Sequence, residues 1–140
     1  GWFTGDTFGI SYRDLDSANG HFIFPTTTPV QFDPPALIAS IDRMMEKSPQ
    51  NMYLTHFGRV QNVANLADKM KAAVLQFVQF ADLYGEAGDR TAQIENAMME
   101  WLLKGIREHG VTLPEDEIRE IVQNDVVLNT QGIEFWIDHR

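Results

Sequence analysis

The chain has 140 residues, of which 44% are hydrophobic and 22% are charged, a composition typical of a globular domain that can bury a core. Its net charge of −9 argues against nucleic acid and against a membrane surface as partners, because both are bound mainly through clustered Lys and Arg. No run of about 18 apolar residues is present, so no transmembrane helix is predicted. The absence of cysteine excludes disulfides and thiolate metal sites, and it fits a reducing compartment such as the cytoplasm.

The first 61 residues are predicted to form short strands and one helix, separated by turns. The segments "WFTG", "HFIFP" and "NMYLTH" have the aromatic and β-branched residues that strands favour. Between the last two of them, Asp33 is a candidate N-cap for a helix that carries Pro34 and Pro35 in its first turn. Residues 1–61 are therefore predicted to form one partial α/β region.

Residues 62–140 are predicted to form a second, entirely helical region. Apolar residues follow helical spacing from Asn62 to Tyr84, and Asp89 and Pro114 mark the starts of two further helices. Gly110 is expected to end the middle one, and "NTQGIEFWIDH" is expected to form a short last helix. The predicted core of this region consists of Leu66, Met70, Val74, Phe77, Ile94, Met98, Trp101 and Leu102.

Two residues are candidate metal ligands because each lies at the end of a predicted strand. Asp6 comes after "WFTG" and His56 ends "MYLTH", and side chains at strand ends commonly build sites in α/β sheets. Taken alone, each has a structural alternative, since Asp in a Gly-Asp-Thr turn often caps its own backbone. The other histidines, His21, His109 and His139, do not have the spacing of a metal-binding pair, and the last two are expected to lie at helix ends.

The ordered segments "FTGDTFG", "TTTPVQFDP" and "MYLTHFG" resemble the C-terminal half of a metallo-β-lactamase-fold hydrolase. The resemblance implies an α+β fold, with a few short strands from the second half of an αββα sandwich followed by helices. It also implies that Asp6 bridges two divalent metal ions and that His56 is the last histidine ligand. Zinc is the expected metal, with iron and manganese as alternatives, and the parent's small-molecule substrate would be an ester, thioester, lactone or lactam.

The family's His-x-His-x-Asp-His motif has no counterpart in this chain. We therefore expect a C-terminal fragment that is inactive by itself and holds no metal tightly. Its expected partner is the missing N-terminal half of the same protein. Exposed strand edges would favour a homodimer. The alternative is a helical module, residues 62–140, that dimerises or binds a partner without catalysis. A stand-alone acidic binding protein is a third hypothesis.

Overall fold

The computed structural model describes residues 2–5, 9–26, 32–47, 49, 52–54, 58–60 and 63–140, with the three strands described by their backbone. Four helices make up most of this part of the chain: α1 (Pro34–Met45), α2 (Val63–Tyr84), α3 (Arg90–Glu108) and α4 (Glu115–His139). Three short strands accompany them: β1 (Trp2–Gly5), β2 (Met52–Leu54) and β3 (Gly58–Val60). A 3-10 turn covers Arg13–Leu15.

The expected α+β fold class is wrong, because the described chain is mainly helical. The helices have 12, 22, 19 and 25 residues, whereas the strands have 4, 3 and 3. The predicted strand "HFIFP" is not formed, and within it Phe24 pairs with Ile10 in an isolated bridge. Strand formation depends on neighbouring strands more than on intrinsic preference, and this segment meets one residue instead of a ladder.

The strands form a small sheet in the order β1-β2-β3. β1 runs parallel to β2, with Trp2 paired to Met52 and Gly5 to Leu54, and the register shifts between Phe3 and Gly5. β2 and β3 are antiparallel. The parallel pair is the feature of the sheet that bears on the candidate site.

The described residues divide into two compact units. The first comprises Gly1–Thr26 and Asp33–Gln76, and the second comprises Thr27–Phe32 and Phe77–Arg140. The division falls inside α2, and the predicted boundary between residues 61 and 62 stays a prediction.

The core of the first unit is built by α1, the start of α2 and the segment before α1. As predicted, Asp33 caps α1, and its carboxylate accepts a hydrogen bond of 3.1 Å from the amide of Ala36. The prolines occupy the first helical positions, where no N–H is needed. The buried cluster consists of Ile23, Ile41, Val63, Leu66, Ala67 and Met70, and Leu37, Met44 and Met45 pack against it.

The second unit contains α3 and α4, which run antiparallel. Gly110 follows the end of α3 with φ +96°, in the left-handed conformation that glycine adopts at helix ends. The expected separate last helix is wrong, since α4 continues from Glu115 to His139 without a break. Burial of Val122, Val126 and Ile133 on one face outweighs the modest helix propensity of its middle residues.

The predicted helical core is confirmed for seven of its eight residues, which are all buried: Leu66, Met70, Val74, Phe77, Ile94, Met98 and Leu102. Trp101 is half-buried instead. Its ring packs edge-on against Phe77 and Phe80, with centroids 5.7 and 6.4 Å away.

Candidate functional site

The carboxyl ends of β1 and β2 lie at the same edge of the sheet. This follows from their parallel pairing, in which the last residue of β1, Gly5, is opposite the last residue of β2, Leu54. In the sequence, Asp6 comes directly after Gly5, and His56 comes two residues after Leu54. Asp6 and His56 themselves lie outside the described residues, so the structure places the strands that lead to them.

The next described residues along the chain, Gly9 and Ile10, are buried in the first unit. The amide of Ile10 donates to the carbonyl of Phe24 over 2.9 Å, and the amide of Phe24 donates back over 3.2 Å. Ile10 and Phe24 are both buried. This bridge therefore fixes the backbone a few residues beyond β1.

A cluster of polar side chains surrounds His21 in the loop that follows. Its Nδ1 lies 2.8 Å from Nη1 of Arg13 and 3.0 Å from Oδ1 of Asp16. A neutral imidazole nitrogen accepts from Arg13 when it lacks a hydrogen and donates to Asp16 when it carries one, so the two bonds exclude each other. Sequence patterns did not identify this cluster, because its members share no regular spacing.

The remaining two histidines of the described chain are at helix ends, as predicted. His109 follows the last residue of α3 and is buried. His139 is in the last turn of α4, where its Nδ1 donates to the carbonyl of Phe135 over 2.8 Å and its ring stacks on that of Phe135. Among the described residues, neither histidine belongs to a group of candidate metal ligands.

Arg90 forms an ion-pair network between α3 and α4 that sequence inspection missed. Its guanidinium donates to Glu134 over 3.1 Å and to Asp138 over 2.9 Å, and the hydroxyl of Thr91 also donates to Glu134. The hydrogen bond from Arg90 holds the pKa of Asp138 below its ordinary value, and the same bond raises the pKa of Arg90. These partners are more than 40 positions apart, so local patterns gave no signal.

Polar residues also interrupt the buried face of α4. Asp125 and Asn129 are one helical turn apart and are buried, as is Thr130 beside them. The hydroxyl of Thr130 has no hydrogen-bond partner within the described structure. The spacing of four positions was a visible signal that these side chains share the apolar stripe.

In the part of the chain that the structure describes, no group of three or more His, Asp or Glu residues is arranged to hold a metal ion. None of the helices there combines the length and apolar content that spanning a membrane requires. No protein-family model matches the chain, and no curated protein and no solved structure is significantly similar to it.

Proposed function

We propose that this chain is the C-terminal part of a metal-dependent hydrolase of the metallo-β-lactamase superfamily and that it supplies two of the metal ligands, Asp6 and His56. The observation that supports the proposal is the parallel pairing of β1 and β2. It brings to one edge of the sheet the two strands after which these residues follow. Sites in sheets with parallel strands are commonly built beyond the carboxyl ends of those strands.

The chemistry of this donor pair fits a divalent ion such as zinc, with iron and manganese as alternatives. The Asp6 carboxylate has two oxygens, which allows it to bind two ions, and the His56 imidazole binds as a neutral base. A bound divalent ion lowers the pKa of water and so supplies a nucleophile at neutral pH for an ester, thioester, lactone or lactam. A catalytic zinc site takes three protein ligands, so two ligands from this chain imply weak binding and no turnover by itself.

The composition supports placing this activity in the cytoplasm. The chain has no cysteine, so neither its fold nor its proposed ligands depend on an oxidising environment. The missing ligands would come from the N-terminal half of the same protein, which the resemblance implies.

The experiment is a titration of the purified chain with Co²⁺, followed by the visible absorption of the bound ion. We expect weak saturable binding, and we expect Asp6→Asn and His56→Gln each to reduce the affinity at least tenfold. Asp14→Asn and His139→Gln are matched controls at exposed positions and should leave the affinity unchanged. Equal affinity in all four variants would contradict the proposal, and so would tight binding that survives His56→Gln.

A second candidate function is that of a helical module that forms a homodimer or binds another protein. The observation that favours it is the exposure of two leucines of α2, Leu75 at 58% and Leu83 at 62%. Sedimentation at micromolar concentration tests it. A dimer that becomes monomeric in the Leu75→Gln, Leu83→Gln double variant would support this function, and a monomeric native chain would exclude self-association through these leucines at that concentration.

A further inference from the structure

The imidazole of His21 lies between two side chains of opposite charge. Nη1 of Arg13 is 2.8 Å from its Nδ1 and 3.5 Å from its Nε2, and Oδ1 of Asp16 is 3.0 Å from the same Nδ1. In the part of the chain that the structure describes, Arg13 and Asp16 are the charged residues that contact His21. Asp14, the other charged residue of this turn, is exposed. The charge of the imidazole therefore decides which of its two contacts is favourable.

A neutral imidazole favours the contact with Arg13. The guanidinium is always protonated and can only donate, and the ring nitrogen that lacks a hydrogen can accept from it. A neutral ring carries no charge that opposes this approach. The carboxylate of Asp16 lies 3.7 Å from Nη1 of Arg13, so it also attracts the guanidinium toward the ring.

Protonation of His21 reverses the balance. Both nitrogens of an imidazolium are donors, so neither can accept from Arg13, and two cations are left 2.8 Å apart. The contact with Asp16 becomes a charge-assisted hydrogen bond, which is stronger than a neutral one. The Arg13 side chain is 42% exposed, so it can turn toward water without disturbing the core.

The backbone of this loop is held independently of the cluster. Leu15 of the 3-10 turn is completely buried. Ser17 and Gly20 exchange backbone hydrogen bonds of 3.0 and 2.9 Å, and the pair of bonds between Ile10 and Phe24 closes the other end of the loop. A change of partner at His21 is therefore confined to side chains.

We propose that His21 is a pH-sensitive switch: when neutral it holds the Arg13 guanidinium against its ring, and when protonated it binds Asp16 more tightly and expels the guanidinium. The loop then presents a different arrangement of charges on the two sides of the His21 titration. Histidine is the side chain that ordinarily changes charge between about pH 5 and 8. The switch does not rest on the proposed hydrolase function.

The test is an NMR titration of the native chain and three variants over that pH range. The ring signals of His21 and the Nε–H signal of Arg13 are followed together, and in the native chain we expect both to change with one midpoint. Asp16→Asn should move the His21 midpoint to lower pH by about 0.5 unit or more, because the imidazolium loses its anionic partner. Arg13→Gln should move it to higher pH. Asp14→Asn is the matched control and should move it by less than half as much as Asp16→Asn.

The proposal is overturned if the Arg13 signal stays constant while His21 titrates, a result that needs no variant. Equal midpoints in Asp16→Asn and Asp14→Asn would also overturn it. A last control is His21→Gln, in which the Arg13 signal should no longer depend on pH. A dependence that persists there would assign the change at Arg13 to another titrating group and would refute the switch.

Discussion

The guanidinium of Arg90, the first residue of α3, donates a 2.9 Å hydrogen bond to the carboxylate of Asp138 in the last turn of α4. The two residues are 48 positions apart, and their contact closes the open end of the α3–α4 hairpin. Glu134 accepts a second bond from the same guanidinium. The ion pairs of Arg90 therefore help to hold α3 against α4 at this end of the second unit.

Substituting Arg90 should change how Asp138 titrates. The hydrogen bond from Arg90 is the main cause of the lowered pKa of Asp138, so we expect this pKa to rise in Arg90→Gln. A carboxylate with a lowered pKa stabilises the folded chain above its unfolded pKa, and this contribution is lost as the pH falls through the folded value. Carboxyl NMR titration measures the change. Arg119→Gln, whose partner is Glu115 at the other end of α4, is the control, and an Asp138 pKa that is equal in both variants would refute the coupling.

The core of the second unit should be sensitive to truncation at Leu102. Leu102 of α3 is 1% exposed, so Leu102→Ala should lower the free energy of unfolding by about 2–5 kcal/mol through lost burial and a cavity. The same change at exposed Leu83 should cost no more than about 0.5 kcal/mol. Urea denaturation of the two variants gives both values. Comparable losses would show that Leu83 is covered by another molecule or that Leu102 is not part of the core.

The two aspartates at helix starts should differ in their effect on stability. Asp33 accepts a hydrogen bond from the amide of Ala36 at the start of α1, so Asp33→Ala should cost about 1 kcal/mol. Asp89 is at the N-cap position of α3, but its side chain makes no capping hydrogen bond, so Asp89→Ala should cost less. Thermal unfolding of the two variants measures the difference, and a greater loss for Asp89→Ala would be incompatible with these caps.

Much of the helical structure could be predicted because helices that pack on a core have apolar residues at regular spacing in the sequence. The apolar spacing predicted α2 and α3, and local chemistry predicted the Asp33 cap and the glycine after α3. The break expected in α4 was wrong. Asn129, Thr130 and Gly132 are weak helix formers, but packing of the α3–α4 hairpin keeps α4 helical through them. The strand expected around Phe24 was wrong because its pairing depends on Ile10, which lies outside the segment.

The candidate site was only partly accessible to the same reasoning. The ends of "WFTG" and "NMYLTH" could be identified, but their parallel pairing joins Trp2 to Met52, two residues that are far apart in the sequence. Such a pairing depends on how the intervening chain folds, so it cannot be predicted from a local sequence pattern. The bridge between Ile10 and Phe24 was missed for the same reason. The cluster around His21 was not predicted because contacts within a loop follow no period.

Paramagnetic broadening of backbone amide resonances is the most direct test of the proposed metal site at the shared carboxyl edge of β1 and β2. Mn²⁺ is added at substoichiometric amounts to the isotopically labelled chain, and each amide signal is followed. If Asp6 and His56 bind the ion, the signals of Gly5 and Leu54 should broaden first, well before those of Glu115, Asp116 and Glu117 at the acidic start of α4. Broadening that begins at α4, or that is uniform along the chain, would contradict it.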